Sequence, residues 1–171
     1  MLNLLNKFLD PSKSRSAKNQ RQDLYNFFMS QTEHEWLKNN SHMKVVFELL
    51  PLKLLEEICL KRHVLFMKRE DFKTNSYLQR NIILVSGEYQ KLLKSEKKMA
   101  VAYLAHEIAL IVQEMDGVID QQLLMEIEAD KFVSDLGLTF ELEELLMLFD
   151  ETIDKRVRLS YLTSHHFSRE H

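Results

Sequence analysis

The stretch Val101-Ala-Tyr-Leu-Ala-His-Glu-Ile-Ala-Leu-Ile-Val112 decides how this chain folds. Only His106 and Glu107 interrupt its apolar character, and both sit in the middle. Ser95 is placed to cap a helix from about Glu96 to Met115, and Asp116-Gly117 to stop it. A helix apolar on nearly every side is buried on nearly every side, so the rest of the chain must wrap around it. Burying an imidazole beside a carboxylate is costly unless each finds a partner. The following helix, about Ile119 to Leu136 with Gly137 as its C-terminal cap, offers Glu126 and Asp130 one turn apart and therefore on one face. Two facing helices, one with His-Glu and one with Glu and Asp, form a metal-type constellation.

Working outward, Thr139 opens a Leu- and Glu-rich helix that ends near Asp150 or runs on toward Leu162, before a polar tail over 164–171. Upstream, His63-Val-Leu-Phe-Met67 and Asn81-Ile-Ile-Leu-Val85 are short β-rich runs, and Glu88 to Leu93 reads as a short helix. Val45 to Cys59 reads as two helical pieces split at Pro51, and Leu24 to Leu37 as an amphipathic helix over Asp23–Lys38. Residues 10–22 are polar and unpatterned, so 1–22 is assigned to a basic arm or linker, 23–163 to one domain and 164–171 to the tail. The fold class expected is α+β, predominantly helical, with a small β-sheet or hairpin.

Composition agrees with that reading. The 171 residues suit one domain, and 45% apolar content supports a real core. Three glycines and two prolines fall far below the usual share of about 12%, which disfavours a turn-rich β fold. The single cysteine, Cys59, excludes an internal disulfide framework and a cysteine-built zinc site, and reads as a small buried hydrophobe. A net charge of −3 is no nucleic-acid signature. The longest apolar run, Met99 to Ala105, is far short of the roughly 20 residues a membrane span requires. Met1 to Leu9 is too short and polar for a signal peptide, so a cytoplasmic, soluble protein is expected. Residues 1–22 carry five bases against Asp10, whereas 123–154 carry ten acids against Lys131. The basic arm is thus a candidate for docking on the acidic face, on a protein or peptide partner, or on a second subunit.

The run Asn81-Ile-Ile-Leu-Val-Ser-Gly through Ala105-His106-Glu107-Ile108, with Glu126-Ile-Glu-Ala-Asp130 and the Leu136-Gly137 helix end, resembles the gluzincin metallopeptidases. The minigluzincins and the soluble core of HtpX-like peptidases are the nearest likeness. The resemblance covers roughly 60–140 and implies a zincin-like domain. It also implies residue roles: His106 as first zinc ligand, Glu107 as the base that polarises zinc-bound water, Glu126 as the ligand from the second helix, and Asp130 as an acid orienting an imidazole.

The departure from the family pattern matters as much. That pattern, His-Glu-x-x-His, places two imidazoles one turn apart, and here the second position is Leu110, with Ala109 where glycine is usual. Leucine offers no lone pair, leaving too few donors for a three-ligand catalytic site. Gln113, His63, His165 and His166 are the available substitutes, of which the amide of Gln113 is a poor zinc ligand. Without compensation no cofactor is expected; with it, zinc. The expected function is therefore a metallopeptidase-like protein that has lost catalysis and acts through protein–protein interaction. The alternatives are an active zinc peptidase with a substitute ligand and an unrelated helical assembly protein. His34-Glu35-Trp36 reads as a solvated helix face, and Arg156 and Arg158 as partners of nearby acids or an anion site.

Overall fold

The computed structural model describes residues 16–31, 41–61, 65–68, 82–85, 97–116 and 122–169. It is predominantly helical. Helix α1 (Ala17–Ser30) starts where Ser16 accepts from the Asn19 N–H, and it buries Leu24, Phe27 and Phe28. Helix α2 (Ser41–Leu49) buries Met43, Val46 and Phe47 and stops before Pro51, which has no N–H to continue the ladder. Helix α3 (Leu52–Glu56) follows and widens into a π turn over Glu57–Lys61 that carries the buried Ile58 and Cys59. Strands β1 (Leu65–Lys68) and β2 (Ile82–Val85) pair in parallel, Leu65 opposite Ile82 and Lys68 opposite Val85. A parallel pair needs a crossover connection, so these strands are not the hairpin that was one of the two expectations.

Helix α4 (Lys97–Asp116) is the axis of the molecule and packs against α2, α5 (Gln122–Asp135) and α6 (Thr139–Met147). Ala100, Val101, Ala102, Leu104, Ala105, Ile108 and Ala109 are all buried, which takes its covered surface most of the way round. Its many alanines let neighbouring helices approach closely, and close packing of that kind leaves little room for larger side chains. Gly137 adopts φ 81° after α5, and a bond from the Leu138 N–H to the Val133 carbonyl joins one from the Gly137 N–H to Ser134, the double closure of a Schellman cap. Ser134 Oγ and Thr139 Oγ1, 2.8 Å apart, bind the start of α6 to the end of α5.

Two expected boundaries move, and between the two ends foreseen for the Thr139 helix the nearer one, close to Asp150, holds. Helix α1 takes in residues 17–22 of the stretch assigned to the arm: these polar residues are the outer face of its first turns, and Arg21 donates to the carbonyls of Phe47 and Leu50 at the end of α2. The helix opened by Thr139 ends at Met147, and α7 (Ile153–Arg169) begins anew where Thr152 Oγ1 accepts from the Lys155 N–H. Helix α7 also takes in most of the assigned tail, with His165 stacked on Tyr161 one turn away. It packs on α5 and α6 and closes the site described next. The Glu88–Leu93 helix and the second half of the helix expected over Asp23–Lys38 lie outside the described residues. No helix among the described residues is long and apolar enough to cross a membrane.

Candidate functional site

Residue 106 lies midway along α4, and its imidazole points between α5 and α7, leaving it 5% exposed. Helix α5 meets it with two carboxylates: Glu126 Oε2 lies 3.0 Å from Nε2, and Asp130 Oδ1 lies 2.9 Å from Nδ1. The Nε2 contact is a well-formed hydrogen bond, whereas at Nδ1 the oxygen is close but off the line of the ring N–H, so charge attraction carries that contact. The i, i+4 spacing of Glu126 and Asp130 is what puts one acid on each ring nitrogen.

A fourth member comes from α7. Arg158 places Nη1 2.7 Å from Glu126 Oε2, Nε 2.6 Å from Asp130 Oδ2 and Nη2 2.7 Å from Asp130 Oδ1. The guanidinium thus grips Asp130 with two parallel bonds and reaches Glu126 with a third donor, a geometry that only the planar arginine fork supplies. Arg158 thus pairs with nearby acids, as expected, and those acids come from α5 rather than from its own stretch of sequence. The signal that could have found it is the pair of buried acids itself, because Asp130 is fully buried and such a group requires a cation. Arg156 takes the sequence-local role, on Glu151 at 2.6 Å.

Electrostatics follow from this arrangement. Burial disfavours a charged imidazole, but the close carboxylates of Asp130 and Glu126 outweigh it and raise His106 to about 8. The hydrogen bond from His106, with Arg158 adding to it, holds the Glu126 carboxyl below the usual range. Asp130 is pushed up by burial and pulled further down by His106 and Arg158, for a net depression. Two cations and two anions therefore neutralise one another in a small volume. Glu107 stands beside this quartet: burial raises its carboxyl, with attraction to His106 and a hydrogen bond to Tyr103 opposing.

The other candidates sit elsewhere. Leu110 is half-buried one turn beyond His106. The Gln113 amide, in the orientation that satisfies both its ends, bridges the Met125 carbonyl at 3.0 Å and the Ala129 N–H at 3.2 Å, so it fastens α4 to α5. His165 pairs with Asp135 at 3.2 Å. Cys59 is buried, its thiol pushed up to about 12 by desolvation, which leaves it no thiolate for chemistry near neutrality. His63 and His34-Glu35-Trp36 lie outside the described residues, as does the side chain of His166.

The zinc that the resemblance implies can be tested against these donors. A catalytic zinc site takes three protein ligands and keeps a fourth place for water. Here His106 Nε2 and Glu126 Oε2 are the two convergent donors, Leu110 contributes hydrocarbon, and Arg158 brings a positive charge within 2.7 Å of that same carboxylate oxygen. The set does not fit a resident zinc ion, and among the described residues no group of three or more His, Cys, Asp or Glu side chains is disposed to hold a metal. Comparison with protein families, with curated proteins and with solved structures found no match.

Proposed function

We propose that this chain is a metallopeptidase-like helical domain that has lost metal-dependent catalysis and acts by binding a protein partner. The observation carrying this reading is the closed quartet of His106, Glu126, Asp130 and Arg158, in which every charge is answered by side chains of the chain itself. The residues that the gluzincin resemblance assigns to zinc and its support converge, but they converge on a guanidinium. Glu107 would be the surviving general base of such an ancestor, now without a polarised water to act on. Partner binding is supported by the exposed apolar residues of the turn between α6 and α7.

Metal analysis of protein purified without a polyhistidine tag tests this reading. Sub-stoichiometric zinc is expected, and stoichiometric zinc that disappears in H106A would overturn it in favour of an active zinc peptidase. The companion variant is L110H, which restores a second imidazole one turn from His106. Measurable zinc affinity should appear in it, and no gain would count against the gluzincin ancestry.

A further inference from the structure

A groove of about 230 Å³ runs between α1 and α2, lined by Lys18, Arg21 and Tyr25 on one side and by Lys44, Phe47 and Glu48 on the other. Its floor is aromatic, with the Tyr25 and Phe47 rings in edge contact at 5.5 Å. Arg21 is fixed by the carbonyls of Phe47 and Leu50, while among the described residues the ammonium groups of Lys18 and Lys44 have no carboxylate partner. Pockets for drug-sized ligands run from about 300 to 1,000 Å³. This one has room for a single large side chain, in a setting that favours acidic neighbours.

The turn between α6 and α7 presents the complementary features. Met147, Leu148 and Ile153 are 64%, 62% and 78% exposed, and Phe149 is half-exposed beside them. Asp150 and Asp154 flank this ridge, whereas Glu151 is taken by Lys155 and Arg156. The turn is held in shape: Thr152 Oγ1 accepts from the Lys155 N–H at 3.1 Å, and the largely buried Lys155 Nζ donates to the Phe149 carbonyl at 2.9 Å. A segment fixed in this way loses little freedom when it docks.

We infer that two copies of this chain associate through unlike surfaces, the Phe149 ridge of one entering the Lys18/Lys44 groove of the other. Phe149 fills the aromatic floor while Asp150 and Asp154 approach the two ammonium groups. The inference goes beyond the metallopeptidase-like reading and does not involve the His106 quartet, so its failure would leave that reading standing. Contacts between unlike surfaces close into a ring or a reciprocal pair, or else propagate into a chain.

Sedimentation of the full chain at rising concentration, up to about 0.1 mM, tests it. Association is expected for the native chain, weakened at least about tenfold in F149A, which removes the anchor, and in K44E, which reverses a charge at the groove. Both positions are at the surface, and circular dichroism verifies that each variant keeps its helices. Mixing the two variants is the decisive arm, because F149A keeps a sound groove and K44E keeps a sound ridge. Their mixture should recover pairs that grow no further. A native chain that stays monomeric, variants that associate as well as the native chain, or a mixture that fails to pair would each overturn the inference.

Discussion

Arg158 illustrates how much one side chain can carry at the centre of a helical protein. Its three donors answer two carboxylates, one of them fully buried, so its removal leaves negative charge in the interior with only His106 to compensate. Breaking a buried pair from one side costs about 3–5 kcal/mol. R158M should therefore lower the unfolding free energy by that order, as measured by urea denaturation. R158K should recover only part of the loss, since an ammonium cannot make the two parallel bonds to Asp130. His106 predicts a pH dependence. Its folded value near 8 lies above the ordinary 6.5, so its contribution is complete below pH 6.5 and is lost as pH rises through about 8. The loss should be about 2 kcal/mol over that leg, and H106Q should flatten it. The depressed Glu126 and Asp130 act at the other end: their contribution is present above their ordinary values and is lost as acid protonates them.

At the scale of single elements, legibility followed burial pattern. Helix α4 could be read from Val101–Val112 because a segment apolar on all sides has few other destinations, and Glu126 with Asp130 could be placed on one face because spacing alone fixes that. Gly137 as a helix stop was legible because glycine takes the left-handed backbone a helix end favours without strain, and it does so here at φ 81°. G137A tests that cap in isolation: no atom lies within 4 Å of an added Cβ, so the whole cost is backbone strain. About 1–2 kcal/mol is expected, read from the thermal midpoint. The first turns of α1 were not legible, because Ala17-Lys-Asn-Gln-Arg-Gln22 has no apolar residue beyond alanine to betray its period. The direction of the β1–β2 pair was equally hidden, as four-residue apolar runs carry no information on orientation.

For the whole molecule, the meeting of α4, α5 and α7 is the feature that sequence could show only in part. That His106 and the α5 acids can face one another follows from the burial of α4 and the one-turn spacing of the acids, but α7 arrives through a turn whose length and cap decide which of its residues faces inward. Arg158 occupies that inward place, and Arg156, two residues earlier, points to solvent. The first turns of α1 matter in practice as well. Cutting the chain after residue 22 removes the Ser16 cap and the Arg21 bonds to α2, so that truncation should lower the thermal midpoint by several degrees.

The half-buried position of Leu110 has a consequence for substitution there. Exchanging a side chain at the rim of the interior disturbs little packing, so a histidine at this position should be accommodated at little cost in stability. A cation brought to that side of the imidazole would compete with the Arg158 guanidinium for Glu126, so whatever affinity L110H gains should rise further when Arg158 is also replaced.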